Sequence, residues 1–310
     1  MARNRAAASV AYVAALILQA SSVSGGGRWD AREVIAFMKA HPQRAYFSRL
    51  FRDGGFRVGI EVGVAGGSYS EHFLVDNKNI GPWVWDMMEP FPPFSLIERY
   101  PPARKGSKYV ISVQAANGSW AHEGVGLNAQ IRSIKQLSTD PAALRAIGDR
   151  KYDFIYLDGA HDHHTVKEEL SLYWPKVAVG GVLAGHDYCW RREMNWTESR
   201  GGGTGLPRRV ALKHAAAAMA TVRRLPEKCL GCGRIPMCGF YTSSTKSTTP
   251  VLTQVAVVQA VQEWLVEQHP TLRLHHTKED FTQESLAADG MSYTRILTKT
   301  RNPSWWFVKE

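Results

Sequence analysis

The sequence predicts one α/β domain with a largely parallel sheet, and three observations carry that reading. Short apolar runs at Phe56–Val62, Phe154–Leu157 and Val182–Ala184 alternate with helix-like stretches. The runs are bounded by Gly and polar residues and are apolar nearly throughout, as strands buried on both faces are. Carboxylates and imidazoles follow two of them: Asp158 and His161 after Leu157, and His186 and Asp187 after Ala184. Open α/β sheets bind ligands outside the carboxyl ends of their strands, so these polar groups sit where such a fold does chemistry.

Phe56–Val62 is the first strand, and the Gly63–Gly67 stretch turns it into a helix marked by His72, Phe73 and Leu74. Phe154–Leu157 is a later strand of the same parallel sheet. The helix after it spans about His163 to Tyr173 and stops before Pro175, because the residue ahead of a proline leaves the helical region. Gly180-Gly181 reads as a turn into the short strand Val182–Ala184. The alternation then breaks from Cys189 to about Pro250, a Cys/Gly-rich insertion (about 189–250). Val255, Val258, Val261, Trp264 and Leu265 restore helical spacing over Val251–Gln268. Leu272–His276 and Ser304–Val308 read as the last two strands.

The loop after the first strand is rich in glycine but is not the dinucleotide fingerprint. Counted from Gly63, the third position is Ala65 and the sixth is Ser68, where G-x-G-x-x-G requires glycine. Glycines permit a sharp turn and a close ligand approach, and the helix start behind them offers free N–H groups. Glu61 at the end of the strand suits a ligand carrying an amine. Asp158 and Asp187 lie at the ends of successive strands, where two carboxylates repel unless protonated or bridged by a cation. A divalent metal on Asp158, Asp187 and His186 is therefore an expectation. The plainer alternatives are an Asp capping the next helix, a surface His beside it, and Asp187 capping a loop.

Together these segments resemble the class I S-adenosylmethionine-dependent methyltransferases, and within them the macrocin-type sugar O-methyltransferases. The resemblance rests on Glu61-Val62-Gly63-Val64-Ala65-Gly66-Gly67, on Asp158-Gly159-Ala160-His161 with Trp174-Pro175-Lys176, and on Gly180-Gly181-Val182-Leu183-Ala184-Gly185-His186-Asp187-Tyr188. Pro303-Ser304-Trp305-Trp306-Phe307 resembles the last strand of that family. The fold so implied is a Rossmann-like seven-stranded sheet, mostly parallel with an antiparallel last strand and helices on both faces.

The resemblance further implies that Glu61, Gly63, Val64, Ala65, Gly67 and Ser68 hold the methionine part of S-adenosylmethionine, with Asp158 beside them. It implies an acidic residue for the ribose at the end of a second strand over Trp83–Met88. Glu89, in Glu89-Pro90-Phe91, is preferred to Asp86. Adenine is expected near Leu137 and Ser138. His161 matches a proposed general base, with Asp162, His163 and His164 beside it as rivals. Asp158 and Asp187 match metal positions, making Mg2+ a candidate cofactor. Some relatives carry two adjacent carboxylates where this chain has His186-Asp187.

Composition bounds the rest. The 310 residues, 44% hydrophobic and 21% charged, suffice for one sizeable core of roughly 250 residues plus extras. The net charge of +10 attracts anionic partners, an anionic glycan ahead of nucleic acid, for which no recognition module is present. Arg3 and Arg5 before the apolar stretch from Ala6 to Ala20 read as a secretory signal or anchor over residues 1–24, with the enzyme domain over 25–310. An organelle transit peptide is the rival. Asn117-Gly118-Ser119 and Asn195-Trp196-Thr197 are glycosylation sequons that fit the secretory route. Cys189, Cys229, Cys232 and Cys238 read as two disulfides in a lumenal protein, with zinc as the alternative. Two functions remain open: an O-methyltransferase acting on a sugar or another hydroxylated small molecule, or a binding protein that keeps the fold without turnover. The oligomeric state is not legible.

Overall fold

A computed structural model of the 310-residue chain describes residues 27–64, 67–77, 80–90, 111–114, 120–123, 129–189, 220, 229–232, 235, 251–278 and 303–310. The N-terminal segment, both sequons, Cys238 and most of the insertion lie outside the described residues. Among the described residues no helix is long and apolar enough to cross a membrane.

The described chain opens with two helices that sequence reading had not marked, α1 (Ala31–Ala40) and α2 (Tyr46–Asp53). Asp30 caps α1 and Glu33 returns the bond to the Asp30 backbone, a capping box. Strand β1 (Val58–Val62) leads into α3 (Ser68–Asp76) and β2 (Trp83–Met88). Then come β3 (Ile111–Gln114), β4 (Trp120–Glu123) and β5 (Ala129–Ile134). Helix α4 (Pro141–Ile147) starts on an Asp140 cap with Pro at its first turn, where no N–H is missed. It is followed by β6 (Tyr152–Leu157), α5 (His163–Tyr173), one 3-10 turn at Trp174–Lys176 and β7 (Val177–Gly185). Helix α6 (Val251–Gln268) and strands β8 (His275–His276) and β9 (Trp305–Val308) complete it.

The sheet has nine strands in the order β4-β3-β5-β2-β1-β6-β7-β9-β8. Its central seven, β5 through β8, are the expected sheet: β9 is antiparallel to both of its neighbours, and the other pairings within this set are parallel. The difference from seven is the hairpin β3–β4, which adds to the β5 edge. The period-2 alternation of strand side chains splits the core in two. Phe154, Tyr156, Trp306 and Val308 face α1–α3, whereas Ile155, Leu157, Trp305 and Phe307 face α4–α6.

One turn was misplaced by sequence reading. Gly180-Gly181 lies inside β7 and starts no strand. Gly180 has φ +73°, and the β6–β7 register shifts between Tyr152 and Phe154. A β-bulge of this kind needs a left-handed residue, which glycine supplies without strain.

Candidate active site

The chain runs outward from β1 through β2 to β5 and returns to β6 on the other side of β1, so the strand order reverses between β1 and β6. The carboxyl ends meet there tightly. Asp158 N donates to Val62 O at 2.7 Å, and Gly63 adopts φ +85°. A Cβ on Gly63 would collide with the backbone of Gly159. Gly63 therefore lets the two strand ends touch, a role beyond the sharp turn and the close ligand approach that the sequence suggested.

Glu61 points from β1 into this region and is almost fully buried. Its carboxylate accepts from Ser70, whose hydroxyl in turn accepts from Trp85 Nε1 at 2.7 Å. Burial raises the Glu61 pKa to about 8, Asp158 adds to the rise, and Ser70 and Arg44 offset only part of it. A buried acid of this kind is short of a cation. The ammonium of a bound methionine moiety would supply one, so the residues present fit S-adenosylmethionine.

Past the end of β6, the structure brings Asp158, His161, His186 and Asp187 together. His186 Nδ1 lies 3.2 Å from Asp158 Oδ1 and 3.1 Å from Asp187 Oδ1. His161 stands between the same carboxylates, Nε2 at 3.9 Å from Asp158 and Nδ1 at 3.8 Å from Asp187. Asp187 has φ +61°, the sole positive φ outside glycine among the described residues. Asp tolerates that region better than most residues, and strain of this kind concentrates at functional sites.

The rivals for the base have other duties. Asp162 caps α5 by accepting from Thr165 N at 2.9 Å, His163 pairs with Glu263 on α6 at 2.7 Å, and His164 is exposed. His161 alone of this group faces both carboxylates.

Sequence reading missed Arg44, on the turn between α1 and α2. Its Nη2 lies 3.0 Å from Asp158 Oδ2. The guanidinium stacks 4.3 Å from the centre of the Tyr69 ring and 4.9 Å from that of Tyr156. Burial pushes the Asp158 carboxyl up, but His186, Arg44 and His161 together outweigh it and hold the pKa at about 2. The turn itself is fixed by α3, since His72 Nε2 lies 3.1 Å from Ala45 O, and Ser48 bridges to Asp76. The available signal was the capping box at Asp30 and Glu33, which announces a helix ahead of Arg44.

Asp86 is fully buried and held by Arg132, Arg150 and Tyr152, so it is a structural ion cluster with no capacity for a ribose. Glu89 ends β2, where its N–H donates to Ile134 O at 3.0 Å. Val64 is buried, and Gly67 has φ +78° ahead of Ser68, the first residue of α3. Ala65 lies outside the described residues. Leu137 is 57% exposed, while the Ser138 hydroxyl donates to Glu169 Oε1 at 2.5 Å. The Glu169 Oε2 is buried with no hydrogen-bond partner, and burial raises the Glu169 pKa to about 7. Cys229 and Cys232 form a disulfide, and Cys189 is disulfide-bonded too, so the cysteines described are not zinc ligands.

The divalent ion expected on Asp158, Asp187 and His186 does not fit this arrangement. Among the described residues no group of three His, Cys, Asp or Glu side chains could hold a metal. Asp158 already has a guanidinium on one oxygen and an imidazole on the other.

Residues 60–188 match a family described as a methyltransferase domain. No curated relative matches the chain in sequence. Among solved structures, the chain is similar to a putative caffeoyl-CoA O-methyltransferase from Staphylococcus aureus, at 12% identity, 96% coverage of this chain, 99% of that one and a TM-score of 0.39. It is similar at 14% identity to an O-methyltransferase from Bacillus cereus in complex with SAH, covering 95% and 97% with a TM-score of 0.40. The MycE methyltransferase of the mycinamycin biosynthetic pathway, in complex with Mg and SAH, gives 16% identity over 72% and 44% with a TM-score of 0.27. These loose likenesses add nothing to the strand order. The matched segment spans β1 through β7 of the seven-stranded core and ends just past Asp187. Over residues 60–188, then, the chain is similar to a methyltransferase domain, and this likeness covers the strand ends that carry Glu61, Asp158 and Asp187.

Proposed function

We propose that the protein transfers a methyl group from S-adenosylmethionine to a hydroxyl oxygen of a sugar, a glycan or another hydroxylated small molecule. The observation that carries this is His161 standing between Asp158 and Asp187 at the switch point of the sheet. A hydroxyl acceptor must lose its proton as its oxygen bonds to carbon, and an imidazole flanked by carboxylates is suited to take it near neutral pH. The non-catalytic alternative leaves that imidazole, and the buried acid at Glu61, without a purpose.

Glu61 and the loop from Gly63 to Ser68 would hold the methionine part, Glu89 the ribose, and the neighbourhood of Ser138 the adenine. When bound, S-adenosylmethionine supplies a methyl group on a positively charged sulfur, a good electrophile. His161 takes the acceptor proton, and Asp158 and Asp187 stabilise the imidazolium so formed. Held there, the cofactor would give its methyl carbon to the acceptor oxygen and the thioether would be the leaving group, keeping the electron pair of the carbon–sulfur bond. Each carboxylate lies 3.8–3.9 Å from a different ring nitrogen, so a small turn of the ring lets one nitrogen face the acceptor while the other stays paired.

A lumenal or secreted location belongs to the same proposal, supported by the Arg3/Arg5 and apolar N-terminus and by the Cys229–Cys232 disulfide. The net charge of +10 favours anionic glycans among the acceptors to be tried. Incubation of the purified protein with methyl-labelled S-adenosylmethionine and neutral and anionic glycan panels tests the reading. Label in a base-stable ether supports O-methylation, and label in an amine or thiol product refutes it.

A further inference from the structure

We infer that Arg44 takes the place of a metal ion in this site, so that the reaction reading above runs without a divalent cation and Arg44 acts as a positioning residue through Asp158. Two carboxylates, Asp158 and Asp187, lie within 3.2 Å of one imidazole nitrogen of His186. Such a pair demands positive charge. In this chain it comes from a side chain, because Arg44 contacts the outer oxygen of Asp158 at 3.0 Å.

The arginine is built in. Its side chain is 11% exposed and stacks against Tyr69 and Tyr156, an arrangement that stabilises a desolvated cation. A guanidinium does not lose its proton in a protein, so the charge is permanent, as a bound metal's would be. Its turn is tied to α3 through Ala45, Ser48, His72 and Asp76, leaving the side chain little freedom to swing away. The consequence is geometric as well as electrostatic. With one Asp158 oxygen fixed by Arg44, the other faces His186 and His161, which sets the side of the carboxylate that meets the base.

The inference rests on the methyltransferase reading for its mechanism, but its test does not depend on turnover. Mn2+ is titrated into metal-stripped protein and followed by electron paramagnetic resonance. The wild type is expected to bind no Mn2+ below about 1 mM. Arg44→Ala should uncover Asp158 and bind Mn2+ at least tenfold more tightly than wild type, and the added change Asp158→Asn should abolish this gain. Arg44→Met, which keeps the packing between the tyrosine rings, serves if Arg44→Ala does not fold. Once an acceptor is found, wild-type turnover should survive chelation within twofold, and Arg44→Met should lower kcat about 100-fold while cofactor Kd changes less than threefold. Stoichiometric Mn2+ binding by wild type that is lost in Asp187→Asn overturns the inference, as does a chelator-sensitive activity restored by Mg2+. Wild type that takes no Mn2+ and methylates nothing leaves the cation assignment standing and defeats the reaction reading instead.

Discussion

Cofactor binding should release a proton from Glu61, and the size of that effect is set by the site. In the free protein the Glu61 pKa is raised to about 8 because burial disfavours the carboxylate. At pH 7 roughly nine-tenths of the molecules are protonated there, given the logarithmic relation between pH and occupancy. The ammonium of the methionine moiety pairs well with a carboxylate and poorly with a neutral acid, so binding selects the ionised form. The sign is then fixed: affinity rises with pH up to the folded pKa, about tenfold per unit well below it. The amine of the cofactor, with an ordinary pKa of roughly 7.8, loses about a third of its charge by pH 7.5. Combining the two gives about 50-fold tighter binding at pH 7.5 than at pH 5.5, or about 2.3 kcal/mol. Calorimetry with S-adenosylhomocysteine in buffers of different ionisation enthalpy should detect a net release of about 0.8 proton at pH 7, the Glu61 proton less the small uptake by the ligand amine. Glu61→Gln preserves the acceptor for Ser70 and should flatten the profile. A wild-type affinity constant within twofold over this range, with no buffer-dependent heat, refutes the reasoning.

Other perturbations separate the roles of neighbouring residues. His161→Ala should lower kcat by about 10²- to 10⁴-fold and leave cofactor affinity nearly intact, measured by steady-state kinetics beside calorimetry. Asp86→Ala should cost about 3 kcal/mol of stability in urea melts, because it strands the half-buried Arg132 and Arg150, whereas Glu89→Ala should weaken cofactor binding and leave the melt unchanged. Gly63→Ala should destabilise by more than the ~1–3 kcal/mol of backbone strain, with the contact at Gly159 added, so lost binding in that variant would come from lost fold. Glu169 has its folded pKa raised to about 7, so its contribution is complete below the unfolded value near 4.5 and disappears as pH rises through 7. The Glu169→Gln protein should accordingly lose about 3 kcal/mol less stability than wild type between pH 4.5 and 8 in pH-resolved melts.

The sheet was legible because its strands advertise themselves twice, by apolar runs and by the glycines and charged side chains just past them. Val251–Gln268 and His163–Tyr173 have in the structure the bounds that periodicity and Pro175 suggested, and Trp83–Met88 those that the family resemblance implied. The β3–β4 pair was missed although Asn117-Gly118 between its strands is a turn signal, because Trp120–Glu123 mixes polar and apolar residues and does not read as a strand. Gly180-Gly181 was misread because a glycine pair marks a positive φ without saying whether the chain turns or merely bulges. Likewise Gly63 signalled close approach, and only the neighbour strand shows that the approaching partner is Gly159.

The site was legible up to the limit of local sequence. Glu61, Asp158, His161, His186 and Asp187 each sit just past or within a strand end, so the motif and the position coincide. Arg44 lies 114 positions from its partner Asp158, on a turn whose neighbours His41, Pro42 and Gln43 form no recognisable motif. Its meaning arises only from packing: α1 and α2 must cover one sheet face with Phe47, Leu50 and Phe51 before the turn between them can reach the carboxyl end of β6. The metal expectation failed for the same reason. Two carboxylates at adjacent strand ends do demand a cation, and the demand was read correctly. Which cation answers it depends on whether some distant segment already delivers one, and here the N-terminal helical pair does.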